Sequence, residues 1–436
     1  MLHQNPLSEK AKSRFAQIFS SLKISQLLYR AGIRKSHGFS CLAVFQMLFQ
    51  LVFQGRNLFR ILESNRAESM PRKDVFYRFL NDPHFNWRRF YQLLCKKIVG
   101  QFETLTSANR IRVYIVDDSP VKRDRSKKIE LLARSFDHVT KRFFKGFQLL
   151  TLGWSDGFSF APLDFSLMSS AKIENRYNEM RVDLDKRLCG YKRRKEALQH
   201  KPDTVVQMID RAMTAEFSAD YLLMDSWFTQ MPLVQKMLDR GLHVIGRVKD
   251  QKQRYVYQGI KLRLDDLYST LPKKGKADIL GSVMVKSETG VSLKLVFVRN
   301  RNKRSEWIVI LSTDTGLDDS EIVRIYGMRW DIEPFHKMIK SLLKLEKEFE
   351  GRSYDMMISH TTIVFSRYLI LEWERRNNTD NRTFGGLFFL FCDEVRDMDL
   401  KTALRQLMAF VFSLASGNAN QETVICQIHD WISDFT

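Results

Sequence analysis

Cysteine is scarce: Cys41, Cys95, Cys189, Cys392 and Cys426 are the only five in 436 residues, and they lie far apart. No CxxC pair occurs, so the usual ligand spacing of a structural zinc site is missing. An odd, sparse set fits reduced thiols in a cytoplasm and not a disulfide framework. Long apolar runs are missing too. The strongest, residues 41–53, is interrupted by Gln46 and Gln50 and is too short to span a bilayer; it reads as a buried helix. The first residues, MLHQNPLSEKAKSRF, hold no apolar core of a secretory leader. Low-complexity linkers and obvious repeats are also lacking. Acidic residues are in deficit, 50 against 70 Lys and Arg, which leaves a formal charge of +20.

That deficit has a direction. Each phosphate neutralised by Lys or Arg releases condensed counterions, so a basic chain is drawn to polyanions. Nucleic acid leads as partner, ahead of an acidic membrane surface. Charge alone does not separate binding from reaction. With 44% hydrophobic residues, the chain has ample material for a globular core.

Changes in periodicity mark the organisation. Up to about residue 105 the pattern is helical: Phe45, Leu48, Phe49, Val52 and Phe53 recur at helical spacing, and SMPRKDVFYRFL has Pro71 near a helix start. This basic helix suits a DNA-binding module, and equally an amphipathic helix with its Phe and Leu face inward. From residue 111 the reading shifts. IRVYIVDD is a β-branched run ending in two acids, and GFQLLTLGWSDG and FAPLDFSLM follow as strands. Residues 170–200 are highly charged and read as helical, with a basic stretch at 191–195 that could follow a phosphate backbone or form a solvated face. Helices near 203–214 and 232–240 then alternate with the strands DYLLMD and HVIGRVK, as in a mixed α/β core. Residues 251–305 read instead as short antiparallel strands inserted into that core. WIVILST returns to a buried strand, residues 319–345 read as one long helix, and helical stretches at 363–371 and 404–414 close the chain.

Three positions carry candidate chemistry. Asp117 and Asp118 end one strand, Asp225 ends another, and Glu333 lies on the late helix. Phosphoryl transfer between nucleic-acid strands uses two divalent metals about 4 Å apart, and Mg²⁺ is content with carboxylates and water. On a continuous helix, Tyr326, Arg329, Glu333 and Lys340 would share one face. An Arg one turn before a carboxylate and a Lys two turns after it suit metal and phosphate together. Ordinary Arg–Glu pairing on an amphipathic helix gives the same spacing.

The pattern Tyr-x2-Arg-x3-Glu-x6-Lys, with Trp330 after the Arg and Phe335-His336-Lys337 inside it, resembles the signature of the insertion sequence 4 family of bacterial DDE transposases. The resemblance covers about residues 110–350. It implies an RNase H-like catalytic core with a β-rich insertion between the second Asp and the Glu. VDDS resembles the first-acid motif and selects Asp117 over Asp118; MDSWF resembles the second and selects Asp225. Trp307 matches a tryptophan that in some relatives stacks on a flipped base, although a core aromatic opening a strand reads the same way. Pro334, directly after the Glu, departs from a smooth helix.

What the resemblance implies can be stated as expectations. The fold is α/β, with residues 1–105 a helical DNA-binding region, 106–350 the catalytic domain with its insertion at 251–305, and 351–436 a helical region suited to dimerisation. Asp117, Asp225 and Glu333 hold two Mg²⁺ or Mn²⁺ ions, and Tyr326, Arg329, Lys340 and Trp307 contact DNA. The partners are double-stranded DNA, as terminal inverted repeats and target, and a second copy of the chain. The location is the bacterial cytoplasm, at the nucleoid. Two rival classes stand beside this reading: an RNase H-like metal nuclease without strand transfer, and a DNA-binding relative without catalysis.

Overall fold

A computed structural model of the chain describes residues 14–396 apart from 64–69, 138–139, 250–252, 273–276, 301–302, 304, 349–350 and 378–381, together with 404 and 407. Six helices come first: α1 (Arg14–Ser21), α2 (Ile24–Arg30), α3 (Cys41–Gln50), α4 (Leu58–Leu62), α5 (Lys73–Asn81) and α6 (Trp87–Thr104). Short polar side chains start three of them. Ser40 caps α3, Asn57 caps α4 and Asn86 caps α6, each accepting from a first-turn N–H that has no helical partner. The run at 41–53 is the buried helix expected, with Val44, Phe45, Leu48 and Phe49 turned inward. α5 buries Phe76, Phe79 and Leu80 and leaves Arg72, Lys73 and Arg78 exposed.

The sheet begins with β1 (Val113–Lys122), β2 (Ala133–Asp137), β3 (Arg142–Ser155) and β4 (Phe160–Met168). It continues through α7 (Cys189–Ala197), α8 (Lys201–Thr214), β5 (Tyr221–Met224), α9 (Met231–Leu238) and β6 (His243–Val248). β1, β5 and β6 run parallel, and β3 lies antiparallel on the other side of β1. β4 is buried along its whole length. Its Asp164 is paired with Arg88 of α6 and Arg211 of α8, which pins both helices to the strand.

Two expectations fail here. β1 does not end at its acids; it runs on to Lys122 because β3 keeps pairing with it after β5 has stopped. Residues 170–200 are not one helix. Only α7 and a 3-10 turn at Ile173–Asn175 are regular between β4 and α8. Pairs two or three residues apart (Arg176–Glu179, Arg181–Asp183, Arg187–Asp185) favour tight local bends over a continuing helix. The basic stretch is also divided: Lys192 and Lys195 are exposed, whereas Arg194 is fully buried between Glu130 and Asp355.

The insertion is built from β7 (Tyr255–Tyr257), β8 (Ile260–Leu262), α10 (Leu264–Ser269), β9 (Ile279–Lys286) and β10 (Ser292–Arg299), and β11 (Trp307–Ser312) joins it to β6. The whole forms an eleven-stranded mixed sheet in the order β2-β3-β1-β5-β6-β11-β10-β9-β7-β8, with β4 also on β3. The insertion has its own small core around Leu293, Leu295 and Phe297.

The chain then forms α11 (Asp319–Gly327), a 3-10 turn (Met328–Asp331), α12 (Ile332–Ser341) and α13 (Tyr354–Asn377). The single helix expected over 319–345 is therefore broken. Pro334 has no N–H to give, and its ring would collide with the carbonyl of Trp330 in an unbroken helix. It sits instead in the first turn of α12, where no helical donor is needed. α13 is buried on nearly every side, so it packs among the other helices and not at their surface. Residues 384–396 are helical; the stretch at 404–414 lies, but for two residues, outside the described residues. Among the described residues no helix is long and apolar enough to cross a membrane.

Candidate active site

The ladder between β1 and β5 ends at Val116 opposite Met224. Asp117 and Asp225 are the next residue on each strand, so two carboxylates leave neighbouring parallel strands, about 4.8 Å apart, at the same level. Beyond Asp225 the chain turns sharply. Its Oδ1 accepts from the N–H groups of Trp227 (2.9 Å) and Phe228 (3.1 Å), and Thr229 Oγ1 donates to its carbonyl at 2.6 Å. This turn lies against β6 at Gly246, where an added Cβ would stand 2.3 Å from Thr229 Oγ1. Glycine there lets the turn close.

Asp117 and Asp118 have separate surroundings. Lys201, at the start of α8, bonds the Asp118 carboxylate and also lies 4.9 Å from the exposed ring of Trp227. Asp117 faces the late helices: its Oδ2 is 3.9 Å from Arg329 Nη1 and 4.0 Å from His336 Nδ1. Burial raises the Asp117 carboxyl to about 7; Arg329 works against this, and the charges of Asp118 and Asp225 add to it.

The four signature residues fall on three elements. Tyr326 is on α11, Arg329 on the 3-10 turn, and Glu333 and Lys340 on α12. Arg329 Nη2 lies 3.8 Å from Glu333 Oε1, so one guanidinium reaches both Asp117 and Glu333. No more than about 10 Å can then separate those carboxylates, because both meet the same rigid fork. Arg329 stacks 4.5 Å over Trp330, and its Nε is buried with no hydrogen-bond partner. The buried hydroxyl of Tyr326 lies within the field of Arg329, Arg247 and Asp225; burial raises its pKa. Lys340 Nζ donates to Ser119 Oγ at 2.6 Å, two residues along β1 from Asp117. Burial lowers the Lys340 pKa.

Trp307 lies apart from this group in its packing. It opens β11 and rests against Tyr268 and Phe297, each 5.2 Å away, in the insertion's core.

Among the described residues, no three His, Cys, Asp or Glu side chains are gathered closely enough to hold a metal ion. Arg329 stands between Asp117 and Glu333, and the Glu333 side chain is 50% exposed. The donors still suit a hard divalent cation. They are all carboxylate oxygens, and burial with the neighbouring acids raises the Asp117 carboxyl, which a nearby cation would counter.

Two side chains here had no role in the sequence reading. His336 was noted only as part of the motif; it is buried beside Asp117, its Nε2 has no partner, and burial lowers its pKa to about 3, so it stays neutral. Lys201 had no signal, since its partner Asp118 is far away in the chain.

Two family models match the chain. One, described as DDE superfamily endonuclease, covers residues 51–261; the other, described as Transposase DDE domain, covers 182–352. The matches support a DDE transposase. They overlap at Asp225, while Asp117 lies only in the first and Glu333 only in the second. The large mixed sheet with flanking helices is consistent with the RNase H-like core of a DDE nuclease. Among curated proteins, none matches the chain in sequence.

Proposed function

We propose that the chain is a transposase of the insertion sequence 4 kind, which cleaves DNA at the ends of a mobile element and joins those ends to target DNA. Arg329 carries this reading, since it lies within 4.0 Å of both Asp117 and Glu333 while Asp117 and Asp225 share one level of the sheet.

Asp117, Asp225 and Glu333 would hold two Mg²⁺ or Mn²⁺ ions, which supply a more acidic attacking water and charge neutralisation at the leaving oxygen. Arg329 turns its fork from the carboxylates to a phosphate oxygen. Tyr326 and Lys340 contact neighbouring phosphates from the flanking helices. Hydrolysis frees a 3′-OH, and that hydroxyl then attacks a phosphodiester of the target, forming the new P–O bond as the target's own 3′ oxygen leaves and takes up a proton. Protein and DNA form no covalent bond. Trp307 is assigned to the DNA end as a base contact, paired ends imply a homodimer on terminal inverted repeats, and the reaction belongs in the bacterial cytoplasm.

A labelled duplex carrying the element's end, incubated with Mn²⁺, tests the reading. Asp117→Asn, Asp225→Asn and Glu333→Gln are each expected to lose cleavage by about 10²-fold or more, with DNA affinity retained. Cut ends with no joined product would place the chain with nucleases. Equal products from Asp225→Asn and the unaltered chain would overturn catalysis by these acids.

A further inference from the structure

We propose that the β2–β3 hairpin, with the adjoining loop at 123–128, is a cradle for the duplex DNA backbone flanking the cleaved phosphate, with Arg134 and Arg142 on its opposite faces. The inference rests on the DDE reading for its substrate and adds a surface to it.

Position is the first argument. β1 carries Asp117 and then runs on to Lys122, where it pairs with Gly146; β2 extends β3 outward from that same residue, Ala133 opposite Gly146 to Asp137 opposite Arg142. Lys122 lies about 17 Å along the strand from Asp117, a span of about five phosphates on one DNA strand. DNA cut at Asp117 and lying along β1 would pass over this hairpin.

Charge is the second. Arg125, Lys127, Lys128, Arg134, Lys141 and Arg142 are exposed, and among the described residues no ion pair joins any of them to an acid. The nearby acids are otherwise engaged. Asp124 accepts from the Lys145 backbone N–H at 3.0 Å, and buried Asp137 lies 3.3 Å from Lys122.

The third is what holds these cations. Arg134 lies 3.9 Å over Phe143, a ring 60% exposed, and Lys145 lies 4.5 Å over Tyr177, a ring 52% exposed. Aromatic faces orient a cation without consuming its hydrogen-bond donors, which stay free for phosphate. A cleft of about 450 Å³ beside Phe143, lined also by Lys122, Arg142 and one exposed acid, Asp124, gives the surface its concavity. Charge on an edge strand also blocks unwanted strand pairing. That need accounts for Arg134 on β2, but not for Lys127 and Lys128 in a loop, nor for a large exposed ring.

The test is a salt titration of the full chain on a duplex of about thirty base pairs, in EDTA so that no cleavage occurs. Arg134→Gln/Lys141→Gln is expected to lower the slope of log K against log salt by about 1–2, equally for any sequence, with Tm unchanged. Lys127→Gln/Lys128→Gln, in the loop and clear of the strands, is expected to lower it by about 2. An unchanged slope in both folded variants overturns the cradle, and is also the result if the face serves an acidic protein. Failure of the DDE reading would show separately, as no metal-dependent cleavage by the unaltered chain.

Discussion

The Arg329 guanidinium stands 3.9 Å from the Asp117 carboxylate and 3.8 Å from that of Glu333, in the space the two acids would share. A planar fork within reach of both can also grip a phosphate through two donors at once, which a flexible ammonium cannot. Arg329→Ala is therefore expected to reduce cleavage by about 10²-fold, and Arg329→Lys to recover only a small part of it. Single-turnover rates on a labelled DNA end measure both. Full activity in Arg329→Lys would refute the geometric role.

Asp117 and Asp118 give a paired test. Only Asp117 faces Arg329 and His336, while Asp118 is taken up by Lys201. Asp117→Asn is expected to abolish cleavage. Asp118→Asn is expected to keep it within about tenfold, since the loss is one partly exposed ion pair of about 1 kcal/mol. The reverse ranking would move the first acid by one residue.

Gly246 offers a packing test close to the site. A Cβ there would stand 2.3 Å from Thr229 Oγ1, in the turn that begins at Asp225. Gly246→Ala is expected to cost about 1–3 kcal/mol in stability and to slow cleavage by displacing Asp225. Thr229→Ala in the same chain should recover part of both losses. Melting curves and rates on the single and double variants decide, and an absence of recovery would locate the strain elsewhere.

Acid stability follows from Asp164. Burial opposes its ionisation, but Arg88, Arg211 and Arg193 outweigh it and hold the carboxyl below its ordinary value. A depressed carboxyl contributes stability that is complete above its unfolded pKa near 4 and is lost as pH falls through the folded value. Unfolding midpoints should thus drop between about pH 5 and pH 2. Asp164→Asn should flatten that drop and cost about 3–5 kcal/mol at neutral pH, because Arg88 and Arg211 lose a buried partner. A pH profile of Asp164→Asn matching the parent would reject this account.

The cores of β1 and β5 were readable in the sequence because short β-branched and apolar runs leave few alternatives, as in IRVYIVDD and DYLLMD, although β1 runs on past its acids. What escaped depended on distant partners. β2 is only five residues, ARSFD, with alternation too short to read, and it exists because β3 offers it an edge. Arg193 and Arg194 looked like part of a solvent-facing basic stretch, yet Arg194 is neutralised by Glu130 and Asp355, which lie far off in sequence. The spacing of Arg329 and Glu333 was visible; the approach of Arg329 to Asp117 was not, because it depends on Pro334 ending one helix and starting another.

The unequal lengths of the two ladders on β1 have a mechanical result. At Asp117 the backbone is still tied to Thr151 of β3, although its bonds to β5 have ceased one residue earlier. One edge is anchored and the other is open, so the carboxylate cannot migrate without unzipping a long antiparallel pairing. Glu333 differs: its side chain is half-exposed on a short helix, so it keeps rotamer freedom that the Asp117 backbone anchor denies its own carboxylate. The sheet thus holds one acid in place, and the side chain on the helix is the one with room to turn.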